Sequence, residues 1–164
     1  MEELNDHARW LSQQAPRLIL FARQWVPNRA DAEDIVQEAF IRFWRSRERV
    51  AEPIPYIYAS VKHCALDWLR GRNRQMKREV LVARPEAETL FAGPAEQEER
   101  RAAIEAKLCE LPEAQREVLV LMIWGGLSFP QIAKTLQISA NTAASRYRYA
   151  LAKLREQLQE ESVR

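Results

Sequence analysis

Apolar residues recur at steps of three and four along most of this chain, and this period constrains the fold more than any other feature of the sequence. A first run stops before Pro27. It consists of Leu4, Ala8, Leu11, Ala15, Leu18, Phe21, Ala22 and Trp25. Such a period places apolar side chains on one side of an α-helix, where they can pack against other helices. With only four glycines, the composition also fits a helical chain better than a disordered or β-rich one, so we predict an all-α protein.

Two further helices are predicted before residue 75. The second helix should begin at Asp31, whose carboxylate can cap the free backbone amides of the first turn, and run to about Arg47. Pro53 and Pro55 then interrupt the pattern, and a third helix is expected after them. Its inward residues would be Ile57, Val61, Ala65, Trp68 and Leu69. Residues 1–75 are therefore expected to form one small helical domain.

The periodic pattern weakens over residues 76–97, where acidic residues gather. Residues that interrupt helices lie in this stretch, namely Pro85, Gly93 and Pro94. The helical pattern resumes near Glu98 and pauses again at Gly125 and Gly126. We therefore predict two small helical domains joined by a flexible linker, with the second domain over residues 98–164.

The segment from Ser128 to Leu158 has the pattern of a helix-turn-helix. Ser128 and Gln131 have the spacing of a capping box, and Ser139 is placed to cap the following helix. That helix should bury Ala143, Tyr147, Ala150, Leu151, Leu154 and Leu158. Its polar residues near the N-terminal end are expected to face solvent, namely Asn141, Thr142, Ser145, Arg146 and Arg148.

Short polar side chains and arginines at the start of such a helix suit the base edges and phosphates of a DNA major groove. The chain from Lys134 to Lys153 contains no acidic residue, so DNA would meet little local repulsion there. An ordinary helical hairpin with a solvated basic face remains the alternative.

Two surfaces of the first domain also carry candidate chemistry. The second helix should expose a mixed strip of Asp34, Gln37, Glu38, Ile41, Arg42 and Arg45, which could dock another helix, although a charged strip is more often a solvated face. The third helix combines the aromatics Tyr56, Tyr58 and Trp68 with Lys62, His63, Arg70, Arg72, Arg74, Lys77 and Arg78. Aromatics can stack on unpaired bases while cations follow phosphates, unless Trp68 is simply core and the arginines form a solvated helix end.

Composition excludes little on its own, since a net charge of +2 does not announce nucleic-acid binding. Cys64 and Cys109 lie far apart without metal-ligand spacing, so reduced thiols are expected and no metal or other cofactor is predicted. The N-terminus does not resemble a signal peptide, and no apolar run approaches the roughly 20 residues that span a bilayer. A cytoplasmic protein without direct membrane insertion is therefore expected.

Three blocks together resemble the sigma-70 family of RNA polymerase sigma factors, in particular its extracytoplasmic-function group. The block from Asp31 to Arg45 is similar to region 2.2, and the block from Ile54 to Arg74 is similar to the segment that melts and reads the minus-ten element. The block from Leu111 to Leu154 is similar to region 4. The resemblance implies a non-enzymatic protein that binds core RNA polymerase and directs promoter-specific initiation.

The resemblance also implies a role for each surface. The strip with Asp34, Gln37, Glu38 and Ile41 would dock the clamp helices of the largest polymerase subunit, and region 4 would contact the flap of the second-largest subunit. Minus-ten DNA would be contacted by Arg47, Arg49, Tyr56, Lys62, His63, Arg70, Arg72 and Arg74. Minus-thirty-five DNA would be contacted by Asn141, Thr142, Ser145, Arg146 and Arg148. An anti-sigma factor is an expected further partner.

Some positions depart from the family pattern. His63 stands where an asparagine is usual, and Gln137 replaces the glycine common in the turn, where a positive φ can be required. Ala143 and Ala144 stand for a larger apolar residue and a lysine, and Tyr149 for a frequent basic residue, so minus-thirty-five affinity is expected to be weaker.

Two other functions remain open from the residues alone. The first is a conventional helix-turn-helix regulator whose N-terminal half dimerises or senses a ligand. The second is an enzyme that holds a metal with Asp31, Glu33, Asp34 and Glu38. No histidine pair, phosphate-binding glycine loop or nucleophile motif accompanies those acids.

Overall fold

The computed structural model describes residues 2–76 and 95–162, and its regular structure there consists of helices. The seven α-helices in those ranges are α1 (Glu2–Ala22), α2 (Arg29–Ser46), α3 (Pro53–Met76), α4 (Ala95–Glu110), α5 (Glu113–Ile123), α6 (Phe129–Leu136) and α7 (Ala140–Ser162). A short 3₁₀ turn, Arg47–Arg49, follows α2. The expected all-α class is confirmed. Most of the expected linker, residues 76–97, lies outside the described residues, although α4 begins at Ala95, earlier than the expected Glu98.

The described residues fall into two compact units, the first built from α1 to α3. Its centre is aromatic, because Phe21 packs edge-on against Trp25 and Tyr58, with ring centroids 5.0 and 5.4 Å apart. Phe43 of α2 adds contacts to the rings of Trp10 and Tyr56. These rings bury large apolar areas in a small unit, and they fix how the three helices pack.

The start of α2 differs from the expectation. Asn28, not Asp31, is the N-cap residue, and its Oδ1 accepts a hydrogen bond from the backbone N–H of Asp31 at 2.8 Å. Asp31 lies in the first turn, where its Oδ2 accepts from Asn28 Nδ2 at 2.7 Å. The carboxylate still serves the helix, since a negative charge near the N-terminus is favoured by the helix dipole.

The start of α3 is also earlier than expected, because Pro53 and Pro55 lie inside its first turn rather than before it. The first backbone amides of a helix have no intrahelical acceptor, so a proline there sacrifices no hydrogen bond. The backbone N–H of Tyr56 makes an early bond of this helix, to the carbonyl of Glu52 at 3.3 Å. The first helix, in contrast, ends at Ala22, before the expected Pro27.

The second unit is built from α4 to α7 around a cluster of Leu108, Leu111, Leu119 and Ala150. Trp124, Tyr147, Leu151 and Leu154 pack against this cluster while remaining partly exposed. Glu110 at the end of α4 binds α7 through a 2.6 Å hydrogen bond from Gln157 Nε2 to its carboxylate. The expectation that Leu158 is buried is wrong, because it is 51% exposed near the end of α7, beyond the apolar cluster.

The turn between α6 and α7 follows the expected chemistry closely. Ser128 Oγ accepts from the backbone N–H of Gln131, and the Gln131 side chain accepts from the backbone N–H of Ser128, so the capping box is confirmed. Gln137 has φ 55° and ψ 47°, so this residue adopts the left-handed conformation that a glycine would adopt without steric cost. Ser139 Oγ accepts from the backbone N–H of Thr142 at 3.0 Å, which confirms it as the cap of α7.

Gly125 and Gly126 follow the end of α5 as expected. A Cβ at Gly125 would lie 2.6 Å from the carbonyl oxygen of Leu121, a contact that side-chain carbons do not make. Gly126 has a φ of 67°, which glycine adopts without steric cost. These two glycines set the direction in which the chain enters α6.

Candidate functional site

The first candidate surface is the α2 strip, defined as Asp34, Gln37, Glu38 and Ile41. All four side chains are exposed, and 46% of Ile41 is accessible to solvent. The opposite side of α2 is buried against the other helices through Ala32, Ile35, Val36, Ala39 and Phe43. The helical period thus gives α2 one face that is buried in the core and an opposite face that is exposed. On the exposed face, the apolar Ile41 lies among acidic and amide side chains.

An exposed series of ion pairs runs from this strip to α3. Glu38 Oε1 accepts from Arg42 Nε at 3.1 Å, and Arg42 Nη2 lies 4.0 Å from Asp67 Oδ2. Asp67 Oδ1 in turn accepts from Arg70 Nη2 at 2.9 Å. The hydrogen bond to Glu38 raises the pKa of Arg42, so this guanidinium is always charged. Asp67 and Arg70 lie three positions apart, which is the spacing of a helical ion pair.

Cys64 is buried on α3 close to Arg42. Burial raises the pKa of its thiol, and the charge of Arg42 opposes that rise only in part. The thiol therefore stays protonated at neutral pH, as expected for a reduced cysteine in a core.

The second candidate surface is the outer face of α3, defined as His63, Arg70 and Arg74. These side chains recur at helical spacing and are all exposed. Arg74 Nε donates to the carbonyl of Arg70 at 3.3 Å, and Arg70 Nε donates to the carbonyl of Leu66 at 3.4 Å. Both guanidinium groups are thus held along the helix, where they can bind phosphates.

Not all residues expected at this surface lie on it. Arg72 is half-buried with its guanidinium carbon 5.1 Å from the centre of the Trp68 ring, so the two residues form a cation-π pair on another side of α3. The interpretation of Tyr58 as an aromatic that stacks on bases is wrong, because this residue is fully buried in the core. Tyr56 is half-buried against Phe43, and Lys62 is half-buried as well.

The 3₁₀ turn after α2 presents Arg47 and Arg49 to solvent. The guanidinium carbon of Arg47 lies 4.3 Å from the centre of the Trp44 ring, and Arg47 Nη1 donates to the carbonyl of Trp44 at 2.8 Å. The turn therefore presents two exposed cations, and one of them, Arg47, is held against the half-buried ring of Trp44.

The third candidate surface is the N-terminal half of α7. Asn141 and Arg148 are exposed, whereas Thr142, Ser145 and Arg146 are half-buried. Two of these side chains already serve the helix, because Thr142 Oγ1 lies 2.8 Å from Ser139 Oγ and Ser145 Oγ accepts from Arg148 at 3.4 Å. Tyr149 is 65% exposed on the same helix, more than the other large exposed apolar side chains of the described chain.

The four acids considered as metal ligands are largely engaged elsewhere. Asp31 is bound by Asn28, Glu33 by Arg29 at 2.7 Å, and Glu38 by Arg42. Within residues 2–76 and 95–162, no group of three histidine, cysteine or acidic side chains is arranged to hold a metal ion. None of the described helices is long and apolar enough to cross a membrane.

Known proteins with similar sequences share both units. The family model for Sigma-70 region 2 matches residues 11–75, and the model for Sigma-70, region 4 matches residues 101–154. The probable RNA polymerase sigma factor RfaY of Xanthomonas campestris is 35% identical over 138 residues, which are 79% of this chain and 34% of that protein. The RNA polymerase sigma-E factor of Streptomyces coelicolor is 30% identical over 161 residues, which are 96% of this chain and 89% of that protein.

A solved structure, the sigma factor RpoE in complex with the anti-sigma factor NepR from Bartonella quintana, has the same fold. Its sigma factor superposes with a TM-score of 0.72 at 21% identity, covering 94% of this chain and 97% of the other. Several further relatives are named ECF RNA polymerase sigma factors.

The chain belongs to the sigma-70 family of RNA polymerase sigma factors, in its extracytoplasmic-function group. It therefore directs transcription initiation by RNA polymerase, and its second unit is the DNA-binding helix-turn-helix of region 4. The resemblance expected from the three sequence blocks is confirmed, and a sigma factor is favoured over a conventional regulator.

Proposed function

We propose that this sigma factor joins core RNA polymerase by docking the α2 strip on the clamp helices of the largest subunit. The exposure of Ile41 among Asp34, Gln37 and Glu38 carries this proposal, because an isolated apolar side chain ringed by polar groups fits the centre of a helix-docking interface. Burying the rest of Ile41 would contribute about 1 kcal/mol, and the acids would pair with basic groups of the partner.

Promoter contact in the first unit is assigned to the outer face of α3 and to the turn after α2. His63, Arg70 and Arg74 would bind the minus-ten element, with Arg47 and Arg49 at the turn beside it. The half-buried Tyr56, Lys62 and Arg72 would reach this DNA only from the edges of the surface. The exposed arginines of the α3 face and of the turn make this DNA contact dependent on salt, because each phosphate that they neutralise releases counterions.

Promoter contact in the second unit is assigned to α7. Asn141 and Arg148 are exposed and would reach base edges of the minus-thirty-five element, while Ser145, Arg146 and Thr142 are half-buried and would approach phosphates. The same unit would contact the flap of the second-largest polymerase subunit.

The two contacts are proposed to lie in separate domains, residues 1–75 and 98–164, with residues 76–97 as the linker. Each small interface is weak on its own, and polymerase would hold both at a fixed separation so that one binding event raises the effective concentration of the other. The isolated chain should therefore select promoters poorly.

Regulation by an anti-sigma factor and a cytoplasmic location complete the proposal. A fold neighbour is described in complex with the anti-sigma factor NepR, which supports a partner of that class for this chain. We assign no enzymatic activity, since the acids that could hold a metal are largely paired with neighbouring side chains.

Co-elution with core polymerase in gel filtration tests the docking surface. The variant Gln37→Lys/Glu38→Lys should lose co-elution, whereas Glu33→Lys, a charge reversal on α2 outside the strip, should retain it. Equal co-elution of both variants would remove the α2 strip as the docking surface. A wild-type chain that does not co-elute but binds duplex DNA tightly would instead support the conventional regulator.

A further inference from the structure

Tyr149 is the most exposed large apolar side chain in the described part of the second unit, and the proposed function gives it no role. Its exposure on α7 is 65%, compared with 51% for Leu158 and 49% for Ile123. Single exposed apolar side chains are common on protein surfaces, so exposure alone indicates no partner. What distinguishes Tyr149 is its position on α7.

Tyr149 lies on the side of α7 that the proposed function turns toward base edges. Asn141, Arg148 and Tyr149 have the spacing i, i+7 and i+8, which places them on one side of a helix, and all three are exposed. The fully buried Ala143 and Ala150 mark the opposite side. Long side chains on a helix lean toward its N-terminus, the end that carries Asn141. The ring of Tyr149 therefore shares a surface with the two residues assigned to base edges.

We propose that Tyr149 reads a thymine of the minus-thirty-five element through an apolar contact between its ring and the C5-methyl group of the base. Thymine is the base that presents a methyl group in the major groove, and apolar side chains recognise it there by contact with that group. This inference rests on the proposed function, because it needs α7 in the major groove of that element. Tyr149 is then a residue that determines specificity, in addition to Asn141 and Arg148.

The charges around Tyr149 favour DNA over a protein as the partner that covers the ring. The chain from Lys134 to Lys153 contains no acidic residue, and the neighbouring Arg148 is exposed. A surface of this kind attracts the phosphates of duplex DNA on both sides of the groove. The phenol ring is the uncharged part of that surface, so it suits the methyl group of a base rather than a phosphate.

The methyl group sets the size of the effect. Burial of one apolar carbon of this size changes an equilibrium constant about fourfold. Loss of the thymine methyl should therefore weaken promoter binding roughly three- to fivefold, provided that the ring of Tyr149 is present.

The test uses the full chain with core polymerase and duplex promoters whose minus-thirty-five element has been selected from random sequence by the wild-type complex. Each thymine of the selected element is replaced in turn by deoxyuridine, which lacks only the methyl group. At one thymine the wild type should lose roughly three- to fivefold in affinity, whereas Tyr149→Ala should bind thymine and uracil equally there. Tyr149→Phe should discriminate as the wild type does, because the ring rather than the hydroxyl makes the contact.

A matched control is Ile123→Ala, which removes another exposed apolar side chain of the second unit, outside α7. This variant should keep the preference for thymine over uracil.

Three results would overturn the proposed role of Tyr149 while leaving the proposed function standing. They are a selected element without thymine, an equal loss on uracil in the wild type and in Tyr149→Ala, and a Tyr149→Phe variant that discriminates no better than Tyr149→Ala. If Tyr149→Ala instead weakens binding to core polymerase without DNA and keeps the preference for thymine, the ring contacts a protein and the proposed role is wrong. A wild-type complex that selects no minus-thirty-five element would overturn the function proposed for α7 itself.

Discussion

Replacing Gln137 by glycine should stabilise the second unit. Gln137 ends α6 with φ 55° and ψ 47°, and an L-residue in that conformation costs roughly 1–2 kcal/mol because its Cβ crowds the following carbonyl. Glycine avoids this cost but loses about 0.5–1 kcal/mol through the greater freedom of the unfolded chain. The expected net gain in the free energy of unfolding is therefore about 0.5–1 kcal/mol.

The hydrogen bonds of this turn should survive the substitution. The backbone N–H of Ile138 donates to the carbonyl of Ala133 at 3.0 Å, the closing bond of a helix end with a left-handed residue, and no side-chain atom of Gln137 contributes to it. Gln137 is exposed, so its removal leaves no cavity. Backbone strain is thus the main quantity that the substitution changes.

Differential scanning calorimetry of the full chain measures the effect. A gain of this size corresponds to a rise of about 2–8 °C in the melting temperature of a unit of 60–100 residues. Gln137→Ala is the matched control, because it keeps the Cβ and should bring no such rise. A glycine variant that melts at or below the temperature of the alanine variant would refute the argument from backbone strain.

Three further predictions concern buried and capping groups. Tyr58 has a buried hydroxyl that lacks a protein partner, and burial raises its pKa to about 12. Between pH 10 and 12 the tyrosine ionises in the unfolded chain but not in the folded one, so the free energy of unfolding of the wild type should fall by about 1.4 kcal/mol per pH unit. Urea titrations measure this fall, which should be absent in Tyr58→Phe. Ser128→Ala should cost about 1 kcal/mol by removing the capping box, measured by thermal unfolding. Leu119→Ala leaves a cavity at a fully buried site and should lower the free energy of unfolding by about 2–5 kcal/mol in the same assay. Ile123→Ala, at a half-exposed site, should lower it by less than about 1 kcal/mol.

Local patterns in the sequence predict much of this fold because they act over one helical turn. The period of apolar residues predicts the helices, and the spacing of Ser128 and Gln131 predicts the capping box, since both partners lie within four positions. The positive φ at Gln137 is suggested only by the resemblance to the sigma-70 family, in which a glycine is common at that position.

The sequence-based predictions are wrong where the local sequence is compatible with more than one structure or where the packing between helices determines the outcome. Asn28 and Asp31 are both good N-cap residues. Asn28 is the N-cap of α2 because the helix begins before its apolar pattern does. Pro53 and Pro55 are compatible with a loop or with a first helical turn. The sequence also cannot assign Tyr58 to the core in advance, because only the packing of α1 against α3 places its ring against Phe21.

The candidate surfaces likewise combine features that the local sequence predicts with features that depend on the packing of the helices. The exposure of Asp34, Gln37, Glu38 and Ile41 follows from helical spacing on α2 alone. The contact between Arg42 and Asp67 does not, because it joins two helices whose relative rotation is fixed by the core between them. Long-range pairs of this kind require the tertiary structure.

Transcription in vitro measures whether the chain directs RNA polymerase to promoters. Core polymerase would be mixed with fragmented DNA of the chain's own genome, with and without the chain, and the 5′ ends of the transcripts would be sequenced. The chain should add a limited set of start sites, each preceded by two short shared elements at a fixed separation, and the Gln37→Lys/Glu38→Lys variant should add none. Start sites that are the same with and without the wild-type chain would contradict this role.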